Sequence, residues 1–117
     1  MMLTSLSDRE RRALQSYVNI LQRRFGSRLV EVLLFGSKAR EEAGDDSDID
    51  VAVILNEPTA VDLSEARGLA FDVLLTHGVL LSVRALSQQG WEALGNMQSL
   101  FYRNVKRDSV SLLSRAA

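Results

Sequence analysis

Two aspartates two positions apart, Asp48 and Asp50, stand at the head of the apolar run Ile49–Leu55. Side chains alternate along an extended strand, so both carboxylates face the same side. Adjacent carboxylates repel unless a proton or a cation intervenes. Mg²⁺ typically binds one or two carboxylates together with phosphates and water. Ten residues separate Asp48 from Gly36-Ser37, which closes a second apolar run, Leu29–Phe35. Backbone N–H groups at the start of a helix favour anions, and glycine lets a phosphate come close to the backbone. Ser37 adds a hydroxyl, and Lys38 and Arg40 add positive charge, the arginine as a fork suited to phosphate oxygens. If the two runs are neighbours in one sheet, a phosphate-holding half meets a metal-holding half. That arrangement serves phosphoryl or nucleotidyl transfer, in which positioning and charge neutralisation do most of the catalysis. Each half alone is weak. Gly-Ser is a common turn, Asp-x-Asp often just enters a strand, and Lys38 to Glu42 can form a solvated helix face. The joint spacing carries the reading.

The surrounding elements must hold these residues. Ser7 followed three positions later by Glu10 marks a helix start, and Leu14, Val18, Leu21 and Phe25 then recur at helical spacing before Gly26. Leu29 to Phe35 is a nearly continuous apolar strand, broken by Glu31, of the kind covered on both faces. Lys38 to Glu42 suits a short helix, Gly44 to Ser47 a turn, and Ile49 to Leu55 a second strand. Asp62 with Glu65 reads as the next helix start, and Gly78 as its end. Val79 to Leu86 alternates as a third strand, with Val79, Leu81, Val83 and Ala85 on one face and Leu80, Ser82, Arg84 and Leu86 on the other. Ser87 to Ala117 suits one or two short helices whose apolar residues Trp91, Met97, Leu100, Phe101 and Val105 pack on the core or, flanked by Arg103, Lys106 and Arg107, dock a partner. The expected fold is a small α/β (α+β) domain, a mixed β-sheet flanked by helices, spanning residues 1–117 as one unit.

Composition narrows the chemistry. The chain has 117 residues, no Cys, one His and a formal net charge of −1. Thiolate chemistry and a multi-histidine metal centre are excluded within one chain. The lone His77 precedes Gly78 at a helix C-terminus, where an imidazolium is modestly favoured without a catalytic role. A near-neutral balance gives no electrostatic case for direct nucleic-acid binding. The first residues lack a signal-peptide pattern, and no apolar run approaches the ~20 residues of a membrane span, so the expected location is cytoplasmic.

Gly36-Ser37, ten residues, then Asp48-Ile49-Asp50 resembles the GSx10DxD signature of the polymerase-beta-type nucleotidyltransferase superfamily. The longer string GSKAREEAGDDSDIDVAV is similar to the minimal nucleotidyltransferase (MNT) domains, whose usual form is GSRARGxxxxxSDxDLxV. The resemblance implies a nucleotidyltransferase-like fold, with ATP or another nucleoside triphosphate as donor and Mg²⁺ (or Mn²⁺) as metal. Carried across, Gly36, Ser37, Lys38 and Arg40 would bind the nucleotide, and Asp48 and Asp50 would be the catalytic metal ligands. Lys38 stands where the family has Arg, and Glu41 where it has Gly.

The resemblance also implies a third carboxylate on a later strand, and here the sequence departs. Val79 to Leu86 has no Asp or Glu; its polar side offers Ser82 and Arg84. A hydroxyl is a poor base and a guanidinium is none. Whether Glu31 reaches the cleft is left open. MNT proteins are often paired with a helical HEPN protein as antitoxin and toxin, and in some pairs AMP is transferred to a HEPN tyrosine. The expected function is therefore Mg-dependent transfer of AMP to a HEPN-like partner protein. The alternative is a weak or inactive nucleotidyltransferase fold that neutralises its partner by binding. Homo-oligomer formation stays open.

Overall fold

The computed structural model describes residues 6–40 and 48–113. The turn expected at Gly44 to Ser47 and the end of the short helix at Glu41-Glu42 lie outside the described residues. Helix α1 (Asp8–Phe25) starts at Ser7, whose side chain accepts from Glu10 N while the Glu10 carboxylate accepts from Ser7 N. Gly26 caps its end with a positive φ of 56°. A single 3₁₀ turn leads into β1 (Leu29–Phe35), α2 (Ser37–Arg40) and β2 (Ile49–Leu55). Then follow α3 (Ala60–His77), β3 (Leu81–Ser87), α4 (Gln88–Asn96), α5 (Leu100–Asp108) and β4 (Val110–Ser111).

The strands form one sheet in the order β3-β2-β1-β4. β1 runs antiparallel to β2 and β4, while β2 and β3 are parallel, so the sheet is mixed. The parallel pair needs a long crossover, which α3 supplies. β1 and β2 are therefore neighbours, with Phe35 opposite Asp50. The interruption at Glu31 coincides with a register shift between Leu29 and Glu31.

Each face of the sheet is covered. On one, the stripe Leu14, Val18, Leu21 and Phe25 of α1 joins Ala66, Ala70 and Val73 of α3. They pack on Val32 and Leu34 of β1, Ile49, Val51, Val53 and Leu55 of β2, and Leu81 of β3. Tyr17, also buried, donates its hydroxyl to the Ala66 carbonyl at 2.6 Å and ties α1 to α3. Burial pushes its phenol pKa up from the ordinary value. The opposite face carries a smaller cluster of Leu33, Ala52, Ile54 and Val105, joined by Phe35, Trp91 and Phe101.

Three elements differ from the expectation. α3 begins at Ala60, and its N-cap is Thr59, with Asp62 as the reciprocal third-position partner. Asp62 thus lies inside the first turn rather than before it. β3 begins at Leu81, although Val79 is still buried in the core. After α5 the described tail is no longer helical: Val110-Ser111 turns back and pairs with Leu34 and Leu33. A two-residue strand is too short to show a period of two.

Candidate active site

Alternation along β2 decides which way the two aspartates point. Ile49, Val51, Val53 and Leu55 face the α1/α3 core, so Asp48, Asp50, Ala52 and Ile54 share the other face. Asp48 is exposed and Asp50 half-buried. Trp91 of α4 and Phe101 and Val105 of α5 pack on Leu33, Phe35, Ala52 and Ile54 of this same face. Beside the aspartates, Gly36 closes β1 with a φ of +77°, a left-handed conformation that favours glycine. A Cβ on Gly36 would lie 2.5 Å from Asp50 Oδ2. The space glycine leaves open is thus taken by the Asp50 carboxylate, a use the spacing alone did not reveal. Ser37 and Arg40 are the first and last residues of α2, which follows directly.

Lys38 goes elsewhere. Its side chain is only 1% exposed, and its ammonium lies 3.3 Å from the Glu10 carboxylate of α1. Glu10 therefore has two tasks: it completes the α1 cap and anchors α2 through Lys38. The capping signal was visible in the sequence, but a contact across 28 positions was not. Arg40, by contrast, belongs to the same short helix as Ser37 and closes it.

On the other side of Asp50, β3 places Ser82 in register with Asp50 and Arg84 in register with Ala52. Both are exposed and on the aspartate face. Glu31 does not join them. It pairs with Ile54, four positions along β2 from Asp50, or about 13 Å at the usual strand rise. Its carboxylate accepts from Ser111 Oγ at 2.5 Å, and it lines a cavity of about 250 Å³ with Trp91, Glu92 and Lys106. A second cavity of about 450 Å³, lined by Asn56, Pro58 and Gln88, also lies at the end of the sheet remote from the aspartates.

The donor set suits a hard divalent cation. Asp48 and Asp50 offer two oxygen ligands on one face, and Gly36 gives the Asp50 carboxylate room. Among the described residues no group of three or more His, Asp or Glu is gathered that could hold a metal ion. A cation held here would draw its remaining ligands from substrate phosphates and water, as Mg²⁺ commonly does.

A mixed sheet carrying a Gly-Ser turn beside paired aspartates defines the nucleotidyltransferase class. Comparison with known proteins agrees. The family model described as a nucleotidyltransferase domain matches residues 14–98, and the chain belongs to that family. Its class of activity is nucleotidyl transfer. The chain is 30% identical over 96 residues to a Methanocaldococcus jannaschii protein named as a putative protein adenylyltransferase, covering 82% of this chain and 90% of that one. Two solved structures share the fold. One is a toxin–antitoxin with AMP-PNP, at a TM-score of 0.55 and 18% identity over 86% of this chain and 73% of that one. The other is a mutant of the toxin–antitoxin MntA-HpeT, at 0.54 and 15%, with the same coverage of 86% and 73%. No described helix is long and apolar enough to cross a membrane.

Proposed function

We propose that this chain transfers AMP from ATP to a partner protein, as an MNT-type antitoxin acting on a HEPN-like toxin. The observation that carries the reading is the contact of Gly36 with the Asp50 carboxylate, which joins the two motif halves. The relative named for protein adenylylation supports a protein acceptor.

In this reading Asp48 and Asp50 hold Mg²⁺ (or Mn²⁺), which when bound neutralises charge on the triphosphate. Gly36 and Ser37 present the turn at the head of α2 to phosphate oxygens, and Arg40 serves the same short helix. Lys38 braces that helix against α1 through Glu10. An acceptor hydroxyl oxygen bonds to the α-phosphorus, the bond from that phosphorus to the bridging oxygen breaks, and pyrophosphate leaves with the electron pair. The acceptor proton passes to solvent. An exposed apolar band on α3, Val61, Phe71 and Leu75, supports docking to another protein.

The test is incubation with α-labelled ATP, Mg²⁺ and a candidate HEPN-like partner protein. Label should appear on that protein and vanish with Asp48→Ala and with Asp50→Ala. One observation favours the second reading, neutralisation by binding alone: the residue in register with Asp50 on β3 is Ser82, which is no base. Partner inhibition that survives both substitutions, with no label transferred, would select it.

A further inference from the structure

We propose that Arg84 contacts the substrate, binding the α-phosphate of the nucleoside triphosphate from the side of β2 opposite Gly36. The inference rests on the reading of Asp48 and Asp50 as the triphosphate site and adds a residue to it. Arg84 is in register with Ala52, and Ala52 shares a face with Asp50. The arginine therefore rises from the aspartate face, two positions beyond the Ser82–Asp50 pair.

Its direction is set by aromatic rings. β3 is an edge strand, where a long cation can reach off the sheet into water. Here the Arg84 guanidinium carbon lies 5.3 Å from the centroid of the Phe101 ring. Phe101 in turn meets Phe35 edge-on at 5.6 Å, and Phe35 is the partner of Asp50 across β1 and β2. The guanidinium thus rests against a ring that itself reaches the strand partner of Asp50. A cation over a ring face is held by the ring's quadrupole, whereas the guanidinium N–H donors are five and fan out in its own plane. Those donors stay available for oxygens, and Arg84 makes no ion pair among the described residues.

Position selects the phosphate. Gly36 lies on the β1 side of Asp50 and Arg84 on the β3 side. A triphosphate whose tail is held at Gly36-Ser37 presents its α-phosphate towards β3. A guanidinium has donors and no acceptor site, so Arg84 takes no proton from the acceptor. Its contribution is charge neutralisation on the non-bridging oxygens of the group being transferred.

Isothermal titration with ATP and with pyrophosphate, Mg²⁺ present, tests this. Arg84→Ala should weaken ATP binding about tenfold and leave pyrophosphate binding unchanged. Arg84→Lys, which keeps the charge without the fork, should fall between. A melting curve matching wild type shows that the variants are folded. ATP affinity unchanged in Arg84→Ala would overturn the contact. Equal loss of ATP and pyrophosphate binding would overturn the α-phosphate assignment. Wild-type protein that binds no ATP would bring down the site reading itself, and this inference with it.

Discussion

Gly36 and Asp50, 14 positions apart in the chain, meet so closely that a single methyl group between them would stand 2.5 Å from Asp50 Oδ2. The glycine ends one strand, the aspartate opens the antiparallel neighbour, and the missing side chain of one houses the carboxylate of the other. Gly36→Ala therefore carries two penalties, a left-handed backbone and a clash with Asp50. It should destabilise the fold by about 2 kcal/mol and abolish Mg-dependent ATP binding. Chemical denaturation and titration calorimetry read the two effects separately.

The aspartates should separate function from stability. Asp48 is exposed, so Asp48→Asn should change stability by no more than about 0.5 kcal/mol. Transfer of labelled AMP should nevertheless fall by roughly a hundredfold or more, because a charged ligand at the reacting centre is lost. Asp50→Asn should show the same loss of transfer.

The pair Lys38–Glu10 joins α2 to α1 in a nearly dry site. Glu10→Gln removes a charged acceptor of Lys38 and weakens the cap at Ser7. It should cost about 2 kcal/mol. A double-mutant cycle with Lys38→Met should give less than the sum of the two single effects, since both remove the same contact.

Asp62 sets an acid limit on stability. The Arg28 hydrogen bond first, and the Thr59 backbone second, pull its pKa from 3.8 to about 2. A pKa lowered by folding stabilises the native state fully above 3.8, and that contribution disappears as pH falls towards 2. Melting temperature should drop across this window in wild type. In Asp62→Asn it should start lower at neutral pH and change less between pH 4 and 2, which a series of thermal melts measures.

Gly68 sits inside α3 with an ordinary helical backbone, and a Cβ added there would meet nothing within 4 Å. Gly68→Ala should stabilise the protein by about 1 kcal/mol through helix propensity. Denaturant midpoints with an unchanged slope are the check.

Much of this molecule is legible in its residue order. The α1 cap at Ser7 and Glu10, the stop at Gly26, β1 and β2 to the residue, and the end of α3 at Gly78 all rest on signals a few residues long. So does the motif itself: the spacing of Gly36, Asp48 and Asp50 and the shared face of the two aspartates follow from chain order and a period of two. What the sequence left open depends on neighbours far away in the chain. It could not say that Lys38 would turn inwards to Glu10 or that Glu31 would bind Ser111 at the far end of β1. Nor could it tell that a two-residue β4 would close the sheet. Above all, only the parallel register of β2 with β3 brings Ser82 beside Asp50, and only tertiary packing sets Arg84 beside Ala52 and the ring of Phe101. Local patterns are written in adjacent residues, whereas register and stacking are set when whole elements pack, and that is where the surroundings of Asp50 were decided.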